Sequence, residues 1–210
     1  MAGSSFGKSF VVTTFGESHG VALGAIVDGV PAGIELSEED IQKFLDRRKP
    51  GQSTVTTSRN ENDKCRIYSG VFGGKTTGTP IMVMLENQSQ RSQDYDELAI
   101  TYRPGHADFS FDSKFGFRDY RGGGRSSGRE TIGRVIGGAI AIKALEMLGI
   151  KVQAFTQSIG NVYAENFNLE ECSENDVYMP DNEAADKAVE LIKRAKEEKD
   201  SLGGIIGCIA

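Results

Sequence analysis

The stretch Ser9–Val30, SFVVTTFGESHGVALGAIVDGV, decides how the first half of this chain folds. Two β-rich runs, Ser9–Thr14 and Ala22–Val30, flank a polar turn at Gly16–Gly20. Valine, isoleucine, threonine and phenylalanine suit a pleated surface, and two such runs with a short turn between them read as a hairpin. Pro31–Gly33 ends the second run. Ser37 then opens SEEDIQKFLDRR, acidic in its first turn and basic in its last, the charge order that a helix dipole favours. Pro50–Gly51 stops that helix, and Cys65–Phe72 and Pro80–Glu86 read as two further strands joined in hairpin fashion through GGKTTGT.

From Asn87 to Ser126 there is little periodicity, and so long a connection inside a compact domain is usually functional. Ser127-Gly-Arg-Glu130 has the form of a capping box and opens a helix to about Leu148, which Gly149 ends. Lys151–Ser158 alternates like a strand, Asp181–Asp200 forms an amphipathic helix with a charged outer face, and Gly203–Ala210 reads as another strand. Strands in hairpins with helices between them predict an α+β fold rather than a doubly wound parallel sheet.

A chain of 210 residues buries a core without staples, and its length suits one domain, or one large and one partial domain. Cys65, Cys172 and Cys208 are far apart and in no ligand spacing, which suits a reducing cytoplasm and gives no metal site. Cys65 and Cys208 lie in apolar runs and are expected to be buried. The first residues lack a secretory leader pattern, and no apolar run is long enough for a membrane span.

The net charge of −6 conceals an asymmetry, because residues 165–200 hold twelve acids against five bases and read as a solvated face. Lys114–Arg134 carries five arginines and one lysine against only Asp119 and Glu130. A local arginine cluster in an acidic chain fits a small anionic ligand; a nucleic-acid backbone needs an extended basic face.

That cluster lies inside Arg103–Ala141, RPGHADFSFDSKFGFRDYRGGGRSSGRETIGRVIGGAIA, which also holds one of the two histidines. Pro104 and Gly105 position His106, and Asp108 is a possible partner for its ring. The other histidine, His19, sits beside Ser18 and Glu17 between glycines that let a ligand approach the backbone; histidine is the side chain suited to proton exchange near neutral pH. The segment Asp119–Arg129 reads as an anion cradle, with glycine-loop amides feeding a helix N-terminus and Arg121, Arg125 and Arg129 nearby. It lacks the lysine of a phosphate-binding nucleotidase loop and the spacing of a dinucleotide fingerprint, so nucleotide hydrolysis is disfavoured. Arg47, Arg48 and Lys49 complement the end of the first helix, and one of them can face a ligand through the bidentate guanidinium fork.

TTFGESHG, LDRRKPGQS, QRSQDY, RPGHADF, DYRGGGRSSGRETIGRV and DSLGG resemble, in order and spacing, the signatures of the chorismate synthase family. The resemblance implies antiparallel sheets sandwiched with helices, and a cytoplasmic homotetramer when the family pattern is complete. It implies an anti-1,4-elimination of phosphate from 5-enolpyruvylshikimate 3-phosphate, giving chorismate in the presence of reduced FMN. Carried over by motif, His19 protonates the departing phosphate and His106 holds the flavin proton, with Ser18 and Ser127 in the hydroxyl network. Arg48, Arg103 and Arg129 resemble substrate-anion ligands, and Arg125, Ser126 and Ser127 the FMN-contacting turn. Thr54 departs from the family, which usually has a basic residue there, at a position linked to nicotinamide binding in some members. The pattern continues beyond DSLGG with further FMN contacts, a substrate arginine and the aspartate that takes the ring proton. Residues 1–210 are therefore expected to be the N-terminal portion of a single such domain. The alternative is an inactive piece that retains only anion binding or assembly surfaces.

Overall fold

The computed structural model describes residues 3–49, 51, 63–87, 97–120 and 122–210. The chain divides into two compact units, one of residues 1–49 and 60–148 and the other of residues 50–59 and 149–210.

The Ser9–Val30 hairpin is the centre of the first unit. Strands β1 (Ser5–Phe6), β2 (Val11–Gly16) and β3 (Ala22–Asp28) pair antiparallel in succession. The register runs from Val11 opposite Asp28 to Gly16 opposite Leu23. After helix α1 (Glu38–Arg48) come β4 (Cys65–Ile67), a small separate pair β5 (Val71–Phe72) and β6 (Lys75–Thr76), and β7 (Ile81–Glu86). The five-stranded sheet has the order β1-β2-β3-β7-β4. The stretch Cys65–Phe72 is thus not one strand: β4 pairs with β7, the chain turns at Gly70 (φ +80°), and β5 pairs with β6.

One face of this sheet is dry. Val12, Leu23, Ala25, Val27, Ile81, Val83 and Leu85 alternate onto it, and Ile41 and Leu45 of α1 are buried in the same cluster. The unit then adds α2 (Asp108–Phe115) and α3 (Thr131–Glu146), and α3 contributes Ile132, Ile136 and Ile140 to the core. Two glycines let α3 approach closely. A Cβ on Gly133 would stand 2.6 Å from the Thr14 methyl, and one on Gly137 2.7 Å from a Val12 methyl. Burial holds Cys65 as a thiol, its pKa pushed up to about 11.

At α1 the local prediction holds in detail. The Ser37 hydroxyl accepts from the Asp40 amide at 3.2 Å, and the Asp40 carboxylate accepts from the Ser37 amide at 3.0 Å. At Ser127 the expected capping box does not form. The Ser127 hydroxyl accepts from the Arg129 amide at 3.3 Å and caps a 3-10 turn, Gly128–Glu130, which leads into α3. The Glu130 carboxylate accepts instead from the Thr14 hydroxyl at 2.8 Å and from Arg134 at 3.1 Å. Tertiary partners on β2 and α3 have outcompeted the cap.

In the second unit, β8 (Gln153–Ile159) pairs antiparallel with both β9 (Val162–Tyr163) and β10 (Gly204–Ile209). Helix α4 (Asn182–Glu197) contributes Ala184, Ala185 and Ala188 to a core with Val177 and Met179. Its N-cap is Asp181, whose buried carboxylate accepts from the amides of Asn166, Glu165 and Ala184. Those bonds hold its pKa below the usual carboxylate range. Cys208 is exposed on β10, while Cys172 is buried. The expectation for Cys208 fails because β10 has β8 along one side and buries no face of its own. Both units mix helices with antiparallel sheets, the α+β class expected. Among the described residues no helix is long and apolar enough to cross a membrane.

Candidate active site

The β2–β3 turn positions His19. The Gly20 amide closes the turn on the Glu17 carbonyl at 3.1 Å, and Asn87, just past β7, donates to the carbonyls of Glu17 at 3.1 Å and Gly20 at 2.7 Å. Ser18 is buried, its amide 3.3 Å from the Gly124 carbonyl and its hydroxyl 3.0 Å from Nδ1 of His19. The turn is therefore fastened directly to the glycine loop before α3.

The contact tightens at Gly122. Its φ is +61°, and a Cβ there would stand 2.0 Å from Nδ1 of His19. The imidazole lies against the bare α-carbon, so this position needs glycine for two separate reasons. Gly122→Ala is expected to lower stability by about 2–4 kcal/mol, from left-handed backbone strain and overpacking together. Urea unfolding checks this, and an unchanged midpoint would show that the ring does not depend on the bare α-carbon.

Arg103 clamps the same loop. Its guanidinium donates to the Gly122 carbonyl at 2.6 Å and grips the Asp108 carboxylate through Nε at 2.9 Å and Nη2 at 2.8 Å. Asp108 also faces Arg118 at 3.7 Å. These arginines hold its carboxyl well below the usual carboxylate range, the Arg103 hydrogen bonds first. Asp108 is therefore the partner of Arg103 and not of His106. His106 is exposed, with Nδ1 3.3 Å from the Pro104 carbonyl and its amide bonded to the Arg103 carbonyl at 3.2 Å.

Arg118, which the sequence presents as one more cluster arginine, is buried. It bonds the carbonyls of Leu98 and Thr101 at 2.8 Å and the Asp112 carboxylate at 3.1 Å. It thereby fixes the segment that precedes α2, a helix the sequence pattern does not reveal.

These elements enclose a cleft of about 600 Å³, lined by Glu17, His106, Phe111, Phe117 and the loop Gly122–Gly128 among others. Ser126 and Ser127 line it, Ser126 from an exposed position. Arg125 lines it as well, but its guanidinium turns back under the loop, to the Thr14 hydroxyl at 2.7 Å and the Gly16 carbonyl at 3.0 Å. Its side chain fastens the loop to β2.

Two of the expected anion ligands meet elsewhere in the unit. Arg48, at the end of α1, and Arg129, in the 3-10 turn before α3, donate to opposite oxygens of Asp63, each at 2.9 Å. Arg129 also donates to Asn87 at 3.0 Å. Lys49 pairs with Asp46. Asp63 and Asn87 are the residues that sequence reasoning missed. Neither carries a local signal, since both act through partners far along the chain. Thr54, Arg121 and all of QRSQDY lie outside the described residues.

The fold and cleft define an α+β protein whose glycine loop packs on His19, is held by Arg103 and Arg125, and lines a cleft with His106. The family described as chorismate synthase matches residues 10–210, and the chain belongs to that family. It is 60% identical to a chorismate synthase of Agathobacter rectalis over its whole length, which is 58% of that protein. It is 57% identical to one from Lachnospira eligens, covering 99% of this chain and 57% of the relative. A crystal structure of chorismate synthase superposes with a TM-score of 0.76 at 31% identity, covering 96% of this chain and 58% of that one. The chain thus spans somewhat under three fifths of the relatives it matches.

Proposed function

We propose that this chain forms the histidine and glycine-loop wall of a chorismate synthase site, where 5-enolpyruvylshikimate 3-phosphate loses phosphate and a ring proton to give chorismate. The observation that carries this reading is the His19 ring seated on Gly122, in a loop that also lines the cleft bearing His106. A phosphate ester with two carboxylates would offer an anionic group to each of Arg48, Arg103 and Arg129.

The cleft fits reduced FMN. Its volume lies within the roughly 300–1,000 Å³ usual for cofactor sites. Phe111 and Phe117 offer apolar surface, and the backbone of Gly123 and Gly124 opens a 3-10 turn where an anionic group would meet amides, the Ser126 amide being spent on the Gly123 carbonyl. Reduced FMN, when bound there, would supply electron density to the carbon–oxygen cleavage with no net redox change. His106 would hold a proton towards the bound cofactor, and Ser126 and Ser127 would offer hydroxyls. His19, with Nδ1 against the Ser18 hydroxyl, gives a proton from Nε2 to the departing phosphate; Arg48, Arg103 and Arg129 meet the substrate's anions. The phosphate leaves with the carbon–oxygen bonding pair, and the ring proton goes to a base. The two units belong in this reading to one catalytic domain, in a cytoplasmic, homotetrameric carbon–oxygen lyase.

The test is chorismate formation by the purified chain, supplied anaerobically with reduced FMN and the phosphate ester. Turnover establishes the lyase reading. Anion and flavin binding without turnover selects a second reading, an inactive piece that retains only anion binding or assembly surfaces.

A further inference from the structure

The Asp63 carboxylate joins two arginines that reach it from separate elements. Arg48 comes from α1 and Arg129 from the turn before α3, and both are largely shielded, with side chains 14% and 10% exposed against 3% for Asp63. The arrangement is fixed from behind, because the Gln42 amide donates to the Asp63 carbonyl at 2.9 Å and to the Asp46 carboxylate at 2.8 Å. Two guanidiniums and one carboxylate leave this trio with a single positive charge.

We propose that Asp63 is a specificity-determining residue, a built-in carboxylate that competes with simple anions for Arg48 and Arg129. The inference rests on reading those arginines as anion ligands. A lone phosphate must displace or share a partner already held on both sides. A ligand that carries a phosphate and two carboxylates has other arginines to engage and can succeed where inorganic phosphate does not. The device suits a reaction that releases phosphate, since the product is not trapped by the residues that bound the substrate's anions.

The sign of one substitution separates this role from simple support. Were Asp63 only holding the arginines in place, its loss would weaken anion binding. As a competitor, its loss raises the trio's charge from one to two in a shielded site, where charge–charge attraction falls off slowly. Asp63→Asn keeps the shape and removes the charge, and Asp63→Ser serves where the amide disturbs folding. Titration of the 210-residue chain with inorganic phosphate is expected to show binding about ten- to a hundredfold tighter in either variant than in the wild type. Arg129→Gln added to Asp63→Asn should abolish that gain. Unchanged or weaker phosphate binding in both folded single variants overturns the inference alone. A gain that survives Arg129→Gln places the anion elsewhere, and overturns the reading of the arginine pair together with the inference.

Discussion

Asp108→Ala is expected to destabilise the first unit by about 3–5 kcal/mol, the usual cost of removing one partner from a buried ion pair. Asp108 is 6% exposed and meets Arg103 through two side-chain hydrogen bonds and Arg118 at 3.7 Å. Without the carboxylate, two shielded guanidiniums face each other, and Arg103 loses the anchor that holds it to the Gly122 carbonyl. The loss should therefore reach the His19 turn as well as α2.

The same contact dictates a pH dependence. The folded-state pKa of Asp108 is depressed, so its contribution is fully present above the unfolded value of about 3.9 and is lost as pH falls towards the folded value. Urea unfolding at a series of pH values should show the difference between wild type and Asp108→Asn shrinking below about pH 4. A difference that stays constant down to acid denaturation would show that the carboxylate charge is not what stabilises the unit.

The second large effect concerns rate. His19→Ala and His106→Ala are each expected to reduce chorismate formation by about 10²–10⁴, the range for a positioned acid or base. The two should differ in stability. The His19 ring fills space against Gly122, so its removal leaves a void beside the glycine loop. His106 is exposed, and its loss should leave stability unchanged. Full turnover in either variant removes that histidine from proton transfer.

Much of the fold was legible. The hairpin announces itself by β-rich runs about a short polar turn, and α1 by its cap and charge order. Both rest on local physics. Helix α2 was not legible, because DFSFDSKF buries no apolar stripe. Its one buried residue is Asp108, with Phe109 and Phe115 exposed, and the surrounding segment is held by Arg118 reaching carbonyls far back in the chain. The false capping box at Ser127 has a related cause, since Glu130 finds partners on β2 and α3 that a four-residue pattern cannot show.

The site divides in the same way. The histidines, the glycine loop and the arginine cluster stand out by residue type and spacing. What each arginine does depends on its partner: Asp108 for Arg103, Asp63 for Arg48 and Arg129, the Gly16 carbonyl and Thr14 hydroxyl of β2 for Arg125. Side chains of one type thus take up different protein partners, and only the three-dimensional arrangement separates them.

The central claim is that the loop Gly122–Gly128, braced by His19 and Arg103, is the ligand wall of this chain. Amide NMR of the 210-residue protein during titration with reduced FMN, kept anaerobic, tests it most directly. The expected result is saturable shifts at Gly123–Ser127 and His106, weakened in Gly122→Ala. Shifts confined to the second unit, or none at any flavin concentration, would contradict it.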